Sequence, residues 1–123
     1  MESPVRFLVP MVHVKSVPTS IGFYRRLGFE VENTFTPSEQ KEPSWANLLS
    51  GQAQIMVTRA DEPVIPSQQG VLFYSYCDDV PALREYLIAE GIEAGPIQNP
   101  FYAPRGEFRI QDPDGYVIMV THT

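Results

Sequence analysis

The tetrapeptide Ile55-Met56-Val57-Thr58 recurs as Ile118-Met119-Val120-Thr121, 118 − 55 = 63 positions further on in a chain of 123 residues. A shift of half the length points to two copies of one structural unit. The same shift lays Val17-Pro18 on Val80-Pro81, Gly28 on Gly91, Glu30 on Glu93 and Pro37 on Pro100. Those matches fall where a helix start, a helix stop, a strand and a loop would recur. A unit of roughly 60 residues is marginal alone, so the copies are expected to fold together as one domain.

Composition narrows the function classes. The chain carries a net charge of −6, which argues against nucleic acid as a partner and favours cationic or neutral ligands. No apolar run approaches the roughly 20 residues that cross a membrane, and Met1 to Pro10 do not read as a secretory leader. A soluble, cytoplasmic protein with no membrane partner is expected. The single Cys77 excludes an internal disulfide and a Cys-built metal cluster. With Asp78 and Asp79 beside it, it reads as a small apolar packing residue and not as a nucleophile.

Residues 7–14 read as a strand and the next segment as a helix, with Ser16 as N-cap, Pro18 in the first turn, Ile21 and Tyr24 at helical spacing and Gly28 as the left-handed stop. Strands are expected at 29–35, 45–50 and 53–59. In the second half, 71–77 is again a strand, Asp79 replaces Ser16 as cap, and Val80, Leu83 and Leu87 form the helix stripe before Gly91. Strands at 92–97, 107–111 and 116–121 complete it. The fold class is α+β: one domain over 1–123, built from a βαβββ module at 5–59, a connector at 60–70 and a second βαβββ module at 71–123. Long loops at 36–43 and 99–106 occupy equivalent places.

Alternation along each strand sorts its side chains into two faces. Leu8, Val12, Val14, Ile55, Val57, Val71, Phe73, Ile118 and Val120 read as the helix-facing set. The opposite, cup-forming face receives Phe7, Val9, Met11 and His13, with Gln54, Met56 and Thr58, and in the second half Leu72, Tyr74 and Tyr76, with Val117, Met119 and Thr121. This face is apolar in the middle and polar at its ends, as a ligand cup would be.

The segment Val17-Pro18 to Ser20-Ile21-Gly22-Phe23-Tyr24-Arg25-Arg26-Leu27-Gly28-Phe29 and the motif Glu107-Phe108-Arg109-Ile110-Gln111-Asp112-Pro113-Asp114-Gly115 give the chain a resemblance to the vicinal oxygen chelate superfamily. That superfamily contains glyoxalase I, extradiol dioxygenases, fosfomycin-resistance enzymes and bleomycin-resistance proteins. The resemblance implies paired βαβββ modules whose mixed sheets curl around a cleft. It also implies a homodimer in which the first module of one chain faces the second of the other. Metal-dependent relatives hold a divalent ion with His, Gln or Glu at up to four repeat-related positions, which fall here on Val9, Met56, Leu72 and Met119. Val and Leu have no lone pair to offer, and a thioether prefers soft ions, so no metal ligand and no cofactor are assigned.

The resemblance also turns the strand face of Glu107, Arg109 and Gln111 toward the cup. Glu107 and Arg109 either pair with each other, or Arg109 clamps an anionic group. His13 is a hydrogen-bonded wall residue, a ligand contact or a general base. Phe101 and Tyr102 form a lid, or else anchor in the core or a subunit contact. Trp45, which the repeat lays on Phe108, is expected on the helix-facing side, or in the cleft as a stacking residue if its strand is shifted by one, and His122 in solvent.

The ligand-binding candidates are therefore Met11, His13, Met56, Leu72, Tyr74, Tyr76, Phe101, Tyr102, Glu107, Arg109 and Met119, with no catalytic residue among them. The leading reading is a metal-free protein similar to the bleomycin-resistance branch, sequestering a cationic or aromatic small molecule, a drug or antibiotic among the options. One alternative is a metal-independent isomerase, lyase or transferase using Glu107, His13 and Arg109. Another is a dimeric structural or regulatory module whose cup is filled by its own methionines.

Overall fold

Two ten-residue helices begin in the same way. Ser16 and Asp79 take extended backbone conformations and accept hydrogen bonds from the N–H groups of Thr19 and Ala82, at 3.3 and 3.0 Å. Each cap satisfies a donor that the first helical turn leaves without a partner, and the proline that follows loses nothing there because its N–H would be unused. Helix α1 spans Val17–Arg26 and ends at Gly28, whose φ of 94° lets its N–H reach Arg25 while Phe29 N–H returns to Tyr24. Its Arg25 and Arg26 place positive charge on the carbonyl end of the helix dipole. Helix α2 spans Val80–Ala89 and closes on Gly91 by the same turn.

The computed structural model describes residues 4–123, and these fall into two compact units divided between Val64 and Ile65. In the first unit, β1 (Met11–Val14), β2 (Glu30–Phe35), β3 (Trp45–Ser50) and β4 (Ala53–Arg59) form a mixed sheet in the order β1-β4-β3-β2, with β1 parallel to β4. In the second, β5 (Leu72–Tyr76), β6 (Phe108–Gln111) and β7 (Val117–Thr121) form a three-stranded sheet in the order β5-β7-β6, with β5 parallel to β7. Both sheets remain open. A short 3₁₀ turn at Pro66–Gln68 lies in the stretch expected to be a featureless connector.

Each unit buries one sheet face against its helix. Val12, Val14, Ala46, Leu48, Ile55 and Val57 meet Val17, Ile21, Phe23 and Tyr24 in the first core, and Phe108, Ile110, Ile118 and Val120 join Val80, Leu87 and Ile92 in the second. Tyr24 stacks edge-on against Phe23 and Phe29, with ring centroids 5.1 and 5.7 Å apart.

Three expectations fail here. Strand β1 starts at Met11 and not at residue 7, and Leu8, expected in the core, is 92% exposed. Pro10 has no N–H to give, so pairing begins there only through its carbonyl, which accepts from Met56. Val71 is likewise exposed and precedes β5. The strand expected at 92–97 does not form. Pro96 breaks the donor row, only Gly95 N–H reaches Arg109 and a single bridge joins Gln98 to Glu107. Arg84 on α2 takes the carbonyls of Ala94 and Gly95 with its guanidinium, doing for them what a neighbouring strand would have done.

Candidate functional site

In the first unit, register places Met11 beside Met56 and His13 beside Thr58, while Trp45, Asn47 and Leu49 oppose Thr58, Met56 and Gln54. All of these share the face away from the helix. Met11 and His13 are exposed and Met56 is half-buried. Trp45 was expected on the other side. Its displacement follows from the turns: four residues, 50–53, separate the pair Leu49/Gln54, and five, 112–116, separate Gln111/Val117. One extra residue in the second turn changes the structural offset in this strand from 63 to 62, so Phe108 corresponds to Ala46 and Glu107 to Trp45. A one-residue slip sends every side chain to the opposite face.

The same face carries a polar chain that sequence reasoning missed. Gln54 donates to the Asn47 side-chain oxygen and Asn47 donates to Glu32, each at 2.8 Å. Glu32 reaches Asn47 because the β2–β3 pairing shifts between Val31 and Asn33 and leaves Glu32 as the extra residue of a bulge. Nothing in a single sequence marks that bulge.

In the second unit, Leu72, Tyr74 and Tyr76 pair with Val117, Met119 and Thr121, and Arg109 lies across from Met119. Leu72, Tyr74 and Tyr76 are exposed, Met119 is half-buried and Thr121 is buried, its hydroxyl donating to the Gly106 carbonyl at 3.1 Å. Phe101 and Tyr102 do not anchor in the core of their unit. Phe101 is 95% exposed and meets Tyr102 edge-on at 5.4 Å.

Glu107 is the most constrained group of this face, only 7% exposed. It does not pair with Arg109. The Tyr102 hydroxyl donates to Glu107 Oε1 at 3.0 Å, and Oε2 is buried without a hydrogen-bond partner among the described residues. That bond raises the Tyr102 pKa above the ordinary phenol value, with desolvation and the charges of Glu107 and Tyr74 adding to it. Arg109 lies exposed and makes no ion pair with any described residue. His122, expected in solvent, is half-buried and its Nε2 accepts from the Arg105 backbone N–H at 3.0 Å.

The four positions implied for a metal do not suit a hard divalent cation. Val9 and Leu72 offer no donor atom, and Met56 and Met119 offer thioethers, beside Met11 and Tyr74 respectively.

The model of the glyoxalase/bleomycin resistance protein/dioxygenase superfamily matches residues 6–120. The chain belongs to that superfamily. Among solved structures, a bleomycin resistance determinant encoded on transposon Tn5 superposes with a TM-score of 0.76 at 16% identity, over 97% of this chain and 98% of that one. A bleomycin-binding protein complexed with bleomycin gives 0.75 at 16%, over 97% and 99%. TnmS3, an antibiotic-binding protein from Streptomyces sp. CB03234, gives 0.73 at 21%, over 97% of both chains. At such identities the likeness establishes the fold. No curated protein sequence matches the chain.

Proposed function

We propose that this superfamily member binds and sequesters an aromatic or cationic small molecule, without a metal and without chemical change. The observation that carries the reading is the open face of the second sheet. Leu72, Tyr74 and Tyr76 leave large apolar surface in solvent there, with Tyr74 beside the half-buried Met119, and Phe101 and Tyr102 are exposed in the loop that leads into β6. Clustered aromatics of this kind supply stacking area at little entropic cost, and a net charge of −6 favours a cationic partner. Met11, His13 and Met56 offer a second, smaller surface on the first unit. Support also comes from proteins of the same fold that bind bleomycin or another antibiotic. The active form is proposed to be a homodimer, which suits units that are each near the lower limit of independent stability.

Calorimetric titration with bleomycin tests the reading, with elemental analysis of the protein and mass spectrometry of the recovered ligand. Saturable binding, an unaltered ligand and no stoichiometric metal are expected. A ligand recovered in altered form, or a bound transition metal, would overturn sequestration.

A further inference from the structure

Resting on that binding reading, we infer that the second unit holds an anchor for a protonated amine or amidinium, with Glu107 Oε2 as the accepting atom. Tyr102 occupies Oε1 at 3.0 Å, and Oε2 is buried with no hydrogen-bond partner among the described residues. A carboxylate oxygen kept from water without a partner is costly, and structures retain one where something else supplies the donor. Arg109, two residues along the strand, makes no ion pair with Glu107, and its charge is spread into solvent. A neutral N–H donor would fill the geometric vacancy but leave the negative charge uncompensated, whereas a cationic donor removes both deficits. The exposed rings of Phe101 and Tyr102, packed edge-on at 5.4 Å, lie beside this carboxylate through the Tyr102 hydroxyl, with Tyr74 near enough to act on that phenol, and favour a cation attached to an aromatic ring. Tyr102, bonded to the other oxygen, is exposed and sits in a turn, held on the polar side by that hydrogen bond.

Benzamidine and its neutral isostere benzamide test the anchor, titrated into the full chain with amide chemical shifts as the readout. Benzamidine is expected to perturb Glu107, Tyr102 and Tyr74 and to bind about tenfold to a hundredfold more tightly than benzamide, the range of one charge-assisted hydrogen bond. Glu107→Gln should remove that preference, bringing benzamidine down to the level of benzamide. Tyr102→Phe should keep it, since the carboxylate stays intact. Equal binding of both probes, with no effect of Glu107→Gln, overturns the anchor while leaving the aromatic binding surface standing. Absence of shifts on this face with either probe also overturns the anchor, and bleomycin calorimetry then decides the broader reading separately. Should Glu107→Gln fail to fold, the probe pair on the wild type and on Tyr102→Phe still decides the matter.

Discussion

Tyr102 ties its phenol to a carboxylate that the fold has already removed from water, and that bond is the main cause of its raised pKa. Because the folded value lies above the unfolded one, the linked stabilisation is complete below the ordinary tyrosine pKa of about 10 and is lost as pH rises through the folded value. In an alkaline spectrophotometric titration, read as the difference between wild type and Tyr102→Phe, Tyr102 should therefore contribute a component above the ordinary tyrosine range. Tyr102→Phe should delete this late component, and Glu107→Gln should move it back toward the ordinary range. A titration curve unchanged by Tyr102→Phe above the ordinary range would contradict the raised value. Cys77 behaves as its neighbours predict: burial raises the thiol pKa most, and the charges of Asp78 and Asp79 add to it against a lowering hydrogen bond from the Asp79 backbone. The nearby acids were visible in the sequence. The Tyr102–Glu107 bond was not, because residues five apart meet only when the intervening turn folds back, with Gly106 at a φ of 106°.

The helices were readable because their signals are local. A capping side chain, a first-turn proline and a terminal glycine all lie within one element, and both copies formed where they were expected. Asp79→Ala should cost about 1 kcal/mol in chemical denaturation, the usual value of a lost N-cap. The turn between β6 and β7 is more demanding. Asp112 Oδ1 accepts from the backbone N–H groups of both Asp114 and Tyr116 at 2.9 Å, and Gly115 follows at a φ of 87°. A Cβ on Gly115 would lie 2.5 Å from Pro66 Cβ and 2.6 Å from its Cα. Gly115→Ala combines a left-handed backbone with that clash, and a loss of about 2–4 kcal/mol is expected. A denaturation midpoint equal to that of wild type would mean the Pro66 turn does not hold this position in solution. The strand expected at 92–97 failed for a reason that was also local, since Gly95-Pro96 interrupts it. The bulge at Glu32 and the slip of Trp45 were not local, because register depends on how many residues each turn spends.

For the molecule as a whole, the pairing of small units makes a specific prediction about assembly. Light scattering at micromolar concentration should return near twice the 13.9 kDa of one chain, and a monomer there would contradict the proposed dimer. The acidic balance has a consequence as well: association with a cationic ligand should slow as salt is added, because screening shortens the reach of the field to about 10 Å at 0.1 M. The repeat, the two helices and most of the helix-covered faces could be read from residue order, because periodicity and capping act over a few neighbours along the chain, and the superfamily from the resemblance of two motifs. Which side Trp45 faces and which carboxylate is left short of a partner could not. Those outcomes depend on pairing between segments distant in the chain, where a single residue in a turn decides the register and a single side chain such as Arg84 or Tyr102 decides which polar group is satisfied.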